Sequence, residues 1–318
     1  MLINLKFLDR AMNFIKKNAY LLIAVITCSS IVSCNNAPPT KETHTITTGT
    51  MSIVVDESFA PIIEDQLAVF ASTYQETDIS LINKPEKLAV NYLLKDSSKV
   101  AILSRGLTDE ERKFFEAKKI IPKVTRFATD GIALITNMSN KDSVVTVDDI
   151  LSVLQGKTSS INSLVFDNRN SSTIRFLKDL AGVQDLPEKG IYALGSNEAV
   201  IKYVYENPHV IGVIGINWIV QPSPELIQYA EGVKVLGVKN QSGKNGDDDY
   251  YKPTQNNLAL GKYALARDLF IINCQGVRGL GMGFSAFLAG ERGQRIILKS
   301  GLLPDSIPPR EINIIKLK

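Results

Sequence analysis

The sequence predicts an α/β fold with a mixed, mostly parallel sheet, and three observations predict it. Between Ser52 and Lys119, apolar strand-like runs alternate with helical patterns three times, the order that winds a parallel sheet. The chain has 318 residues, enough for two domains with their own cores. One extended run, Val124 to Asn137, is longer than its neighbours, and such a strand can pass from one domain into the next.

The first unit is Ser52 to Tyr74. Ile53, Val54 and Val55 read as a buried strand and Asp56, Glu57 and Ser58 as a polar turn. Phe59, Ile62, Ile63, Leu67 and Phe70 then recur at helical spacing. Ser58 suits an N-cap, and Pro61 is harmless in a first turn. A strand feeding a helix start gathers free N–H groups and the positive dipole end, a place for an anion. Asp78 to Asn83 is the second strand, and Pro85 to Leu94 a helix with Leu88, Val90, Leu93 and Leu94 apolar. Lys99 to Ser104 is a third strand, continuous in apolar residues from Val100 to Leu103 and so buried on both faces. Thr108 to Lys119 is a helix opened by a capping box of Thr108 and Glu111.

Beyond the long strand, Thr146 to Gly156 reads as a helix with a glycine stop, and Leu164 to Phe166 as a short strand. Ser171, Ser172 and Thr173 then place hydroxyls at the start of a helix carrying Ile174, Phe176, Leu177 and Leu180. Asn197 to Asn207 is a helix, Val210 to Gly215 a strand, and Val233 to Val238 another strand. Gln241 to Thr254 is a polar loop whose acidic triplet lacks the spacing and closing Glu of an EF-hand. The stretch from Ser285 to Pro304 reads as a terminal helix stopped by Gly301.

The N-terminus is not part of the fold. Lys6, Arg10, Lys16 and Lys17 precede a short apolar run, Ala19 to Val32, which ends in Ile31-Val32-Ser33-Cys34. That predicts a signal peptide over 1–33 rather than a membrane span, which needs about 20 apolar residues. The ending resembles a bacterial lipobox, which implies cleavage before Cys34 and lipidation of its thiol. Residues 34–46 then form a polar, proline-containing tether. Cys28 leaves with the leader, so Cys274 is the one thiol left for the folded chain, without an internal disulfide or a cysteine metal site. With His44 in the tether and His209 in a loop, a histidine triad is hard to build. The net charge of +3, spread along the chain, gives no footprint for nucleic acid. The expectation is a binding protein rather than an enzyme, without a cofactor or metal.

Several segments line up in order: Asp56 to Ile62 (D-E-S-F-A-P-I), Ala101 to Glu111, Asp130 to Asn137, and Asn170 to Phe176 (N-S-S-T-I-R-F). Val204 to Gly215 and Gly281 to Pro304 continue the series. This order resembles the phosphate-binding-protein family, the periplasmic or lipoprotein receptors of phosphate ABC importers, from about Thr47 to Pro304. The resemblance implies a two-lobed periplasmic-binding-protein fold (type II, Venus flytrap) with two hinge crossovers. Lobe one would be 47–127 with 237–318, and lobe two 128–236. It implies a monomer, lipid-anchored to the envelope and facing the periplasm or exterior. That protein would capture inorganic phosphate or a similar oxyanion and present it to an ABC permease. A lipoprotein of the same fold acting as an anion sensor or surface interaction protein is the alternative.

For the site, the resemblance implies Ser58 and Phe59 at one helix start and Ser171, Ser172 and Thr173 at the other. Arg169 would serve as the nearby arginine. Ser104 and Arg105 stand after the third strand, where the family carries an Asp that accepts from a protonated phosphate oxygen. Glu57 or Asp56 is then the replacement acceptor, since an ionised carboxylate accepts and cannot donate. Other roles stay open: Ser58 and Ser171 read equally as caps, Arg105 as the partner of Asp109 or Glu110, and Asp130 as an anchor of the crossover.

Overall fold

The computed structural model describes residues 45–306. In the first lobe, β1 (Gly49–Asp56) runs through a 3-10 turn (Glu57–Phe59) into α1 (Ala60–Thr73). Then come β2 (Thr77–Lys84), α2 (Glu86–Leu94), β3 (Val100–Leu103) and α3 (Asp109–Ala117). The long strand β4 (Lys123–Asn137) carries the chain into the second lobe. That lobe contains β5 (Val144–Thr146), α4 (Val147–Leu154), β6 (Leu164–Phe166), α5 (Ser172–Ala181), β7 (Ile191–Ala193), α6 (Asn197–Glu206) and β8 (Ile211–Gly215). Two short helices, α7 (Asn217–Val220) and α8 (Ile227–Glu231), precede β9 (Val233–Val235) and β10 (Gly237–Lys239). After α9 (Gln255–Ala259) the chain returns through β11 (Ala266–Asn273), α10 (Leu280–Ala289), α11 (Glu291–Lys299) and β12 (Leu303–Pro304).

The main sheet has the order β2-β1-β3-β11-β4-β8-β6-β7. Pairs β1–β2, β1–β3, β6–β7 and β6–β8 are parallel, while β11 and β4 run antiparallel to their neighbours. The first half of β4 pairs with β11 and its second half with β8 and β9. It thus belongs to both lobes. The parallel strands of both lobes end at the same cleft: β1 at Asp56, β2 at Lys84, β3 before Ser104 and β6 before Asp167. Ligand crevices in α/β sheets lie outside such carboxyl ends.

Phe59 at the end of the 3-10 turn joins Ile62, Ile63 and Phe70 of the apolar face of α1 in the core, with Phe70 edge-on to Phe284 at 5.3 Å. Each such side chain contributes about 1.5–3 kcal/mol by leaving water. In α2 the buried face is Ala89, Val90 and Leu93, whereas Leu88 is exposed, one position off the predicted stripe.

Two elements differ from expectation. The predicted strand Val233 to Val238 breaks at Leu236, whose N–H bonds to the Leu134 carbonyl. β9 stays on β4 while β10 leaves to pair with β5 in a separate two-stranded sheet. The predicted terminal helix is two helices, because Gly290 is extended (φ −83°, ψ 168°) and redirects the chain. The second then packs so closely on the first that a Cβ on Gly293 would collide with the Phe287 carbonyl.

Candidate functional site

At the first jaw, β1 ends on Asp56, whose Oδ1 accepts the Ser58 N–H at 3.1 Å. The turn is therefore capped by Asp56, and α1 has no side-chain cap at Phe59. Ser58 does not serve as the predicted cap, because the 3-10 turn puts Phe59 at that position. Its hydroxyl is left facing the other lobe. The Ser58 carbonyl is held from that lobe too, by Trp218 Nε1 at 2.9 Å and Asn217 Nδ2 at 3.3 Å.

At the second jaw, Ser171 caps α5 through the Ile174 N–H at 3.4 Å. Its Oγ lies 2.8 Å from Thr173 Oγ1, which donates to Asp167 Oδ1 at 3.0 Å. Ser172 points across the cleft, its Oγ 3.4 Å from Ser58 Oγ. The two serines expected at opposite helix starts therefore meet.

The charge at this contact comes from a residue that sequence reading passed over. Arg267 on β11 donates Nη1 to Ser172 Oγ at 2.8 Å and Nε to Asp130 Oδ2 at 2.9 Å. Its guanidinium lies over the Phe59 ring, 4.8 Å from the centroid. The Arg267 side chain is 1% exposed and that of Asp130 0%. Nη2 of Arg267 is buried with no hydrogen-bond partner. The signal was available: Arg267 shares a strand face with Leu269 and Ile271, both fully buried. A buried arginine on such a face needs a partner. Asp130 is that partner, as an anchor in the hinge strand.

The carboxylates around the contact resist ionisation. Burial raises Asp56, helped by Glu86 and opposed by Arg267. Burial, then Asp167, Asp56 and Glu198, push Glu57 up to about 7 against Lys84. Asp130 and Asp167 are also raised by burial, against Arg267 and the Ser171 hydroxyl respectively. Asp56 Oδ2, Glu57 Oε1 and Asp130 Oδ1 are buried acceptors without partners.

The remaining predicted residues gather at the adjacent mouth of the cleft. Ser104 Oγ donates to Glu86 Oε2 at 2.8 Å and accepts from Arg175 Nη2 at 3.0 Å. Arg175 Nε also bonds Glu86, so this network joins α2 of the first lobe to α5 of the second. Arg105 makes a bidentate pair with Glu111 at 2.7 and 2.8 Å. Its partner is neither Asp109 nor Glu110, because the capping box folds Glu111 back toward Thr108. Arg169 is exposed and, with Arg105, Ser171 and Arg175, lines a cavity of about 450 Å³. A second cavity of about 450 Å³, lined by Pro61, Asn83, Glu198 and Trp218, opens on the Ser58 side. Cys34 lies outside the described residues. Cys274 is a buried free thiol, pushed up to about 12 by burial.

Residues 40–292 match the family model of the PBP superfamily domain. The phosphate-binding protein PstS of Borreliella burgdorferi is 24% identical over 305 residues, covering 90% of this chain and 98% of that protein. The PstS of Staphylococcus aureus is 26% identical over 227 residues, covering 67% of this chain and 64% of its own length. Among solved structures, a chain from Clostridium perfringens assigned as a phosphate ABC transporter substrate-binding protein, with bound phosphate, superposes with a TM-score of 0.65. The two are 20% identical, and the match covers 81% of this chain and all of that one. An ABC-type phosphate transport receptor from Vibrio cholerae gives a TM-score of 0.61 at 19% identity, covering 80% of this chain and 100% of the other. At these identities the structural matches show the fold.

Proposed function

The chain belongs to the PBP superfamily, and from that premise we propose that it captures inorganic phosphate, or a similar small oxyanion, between its lobes. Capture would serve an ABC importer, with the protein held outside the cytoplasm by a lipid on Cys34. The observation that carries this reading is the convergence of Ser58, Ser172 and Arg267 at two helix starts. An anion there would meet N–H groups at the uncapped start of α1, two hydroxyls and the free Nη2 of Arg267. Phe59 and Trp218 are buried around it, and exclusion of water strengthens charged hydrogen bonds. Closing the lobes over the ligand is all the function requires.

The carboxylates refine the ligand. Asp56, Glu57 and Asp130 each present a buried acceptor that lacks a donor. Where one of them is ionised, an oxyanion carrying a proton donates to it, whereas sulfate at neutral pH has only acceptors and meets a like charge. The reading therefore favours phosphate over sulfate.

Trp218 is the single tryptophan, and it bonds the Ser58 carbonyl. Titrating the full chain with phosphate is expected to change its fluorescence saturably, with sulfate having no effect at the same concentrations. No change with phosphate, or an equal response to sulfate, would reject the assignment. Phosphate uptake that is unaffected by deletion would leave a binding protein without a transport role.

A further inference from the structure

The end of the first lobe farthest from the cleft carries an apolar and cationic surface that anion capture does not use. Ile121, before β4, is 81% exposed and Val277, after β11, is 71% exposed, the highest values among the large apolar side chains of the described residues. They are not scattered: both line one cavity of about 390 Å³ together with Lys119, Lys123, Arg278 and Met282. No carboxylate lines it. Among the described residues, none of the three cations has an acidic partner within salt-bridge distance. Exposed apolar side chains ringed by unpaired cations suit the boundary between water and anionic headgroups.

The topology fixes where this surface points. Asn273 pairs with Val100 at the beginning of β3, and Phe270 with Leu103 at its end. The surface is thus at the starting ends of the parallel strands, while Ser58 and Ser104 lie beyond their finishing ends. β1 also starts at that far end, with Gly49 opposite Thr77 at the start of β2. Its lead-in segment packs on α10 next to the surface. A Cβ on Gly283, the neighbour of Met282, would collide with the Ile46 carbonyl oxygen. The chain therefore enters the fold beside the cationic surface. Cys34 precedes Thr45 by 11 residues, which extended span at most about 40 Å.

We propose that Lys119, Ile121, Lys123, Val277 and Arg278 form a bilayer-contacting face that rests the first lobe on a membrane containing anionic lipids. Each cation near such a surface adds only a modest attraction, so three of them with two small apolar insertions make a weak contact. Joined to a lipid on the same chain it becomes the second of the two signals that stable attachment needs. In this pose the cleft mouth points away from the bilayer, open to arriving solute. The tether's part in this attachment rests on the lipid-anchor reading above; the face itself does not.

Depth-dependent fluorescence tests this separately from anion binding. Full-length protein with Trp218→Phe and carrying Ile121→Trp, Val277→Trp or, as a control in the second lobe, Tyr192→Trp (a site 53% exposed) as its one tryptophan is reconstituted with brominated-lipid vesicles. The vesicles contain either phosphatidylglycerol with phosphatidylcholine or phosphatidylcholine alone. Quenching at 121 and 277 is expected with the anionic vesicles, and little at 192. Lys119→Glu with Lys123→Glu and Arg278→Glu should abolish it, as should high salt. Equal quenching at all three positions, or none at 121 and 277 in anionic vesicles, would overturn the proposal. So would self-association in lipid-free solution that these charge reversals abolish, because the face would then meet a second copy. Phosphate titration of the triple variant should match the unaltered protein.

Discussion

Arg267 on β11 donates to Ser172 at the first turn of α5 across 2.8 Å. The strand that closes the first lobe therefore holds the helix start of the second. The same guanidinium bonds Asp130 in the crossover strand. The positive charge at the site is thus built into the hinge and reaches both jaws from below.

Arg267→Met should weaken phosphate binding roughly 10- to 100-fold, the worth of a charged hydrogen bond. It should also destabilise the chain by about 3–5 kcal/mol, because Asp130 is left buried and unpaired. Adding Asp130→Asn should restore much of the stability and none of the affinity. Urea melts with phosphate titrations separate the two effects.

The acids beside the site set a pH dependence. Burial and the neighbouring Asp167 carboxylate push Glu57 up to about 7, and burial moves Asp56 in the same direction. A carboxyl raised in the folded state favours folding fully below the ordinary carboxylate range. That contribution is lost as pH rises through about 7. The ligand-free protein should melt at a higher temperature near pH 5.5 than near pH 8, and Glu57→Gln should narrow the gap. Equal melting temperatures at the two pH values would contradict this.

The network across the neighbouring mouth gives a contrast between two arginines. Arg175→Met removes donors from Glu86, whose side chain is 3% exposed, and should cost about 1–3 kcal/mol. Arg169→Ala changes an exposed side chain and should alter stability by less than about 0.5 kcal/mol. Denaturant midpoints of the two variants check this. Comparable losses would mean that Arg169 is tied into the fold.

Thr108→Ala should cost about 1 kcal/mol, because it breaks the box in which Thr108 accepts from the Glu111 N–H at 3.2 Å. Thermal denaturation measures it.

These residues also show what could be read from the sequence. The capping box at Thr108 and the apolar stripe of α1 depend on neighbours within one turn, so local spacing revealed them. Ser58 and Ser172 were legible as hydroxyls at helix starts. Their contact across 114 positions was accessible only through the family resemblance. Arg267 escaped because its partners Asp130 and Ser172 are 137 and 95 positions away. Arg169 drew attention by sequence proximity to Ser171, yet the turn before α5 faces it outward. The breaks at Leu236 and Gly290 followed from strand handover and helix packing, which no local pattern encodes.

The central claim is that Ser58, Ser172 and Arg267 close on a protonated oxyanion. Isothermal titration of the full chain with phosphate, and separately with sulfate, at pH 7 tests it most directly. The account predicts one phosphate per chain with saturable heat, no heat from sulfate, and a large loss of phosphate affinity in Ser172→Ala. Phosphate binding undiminished in Ser172→Ala, or sulfate bound as tightly as phosphate, would contradict it.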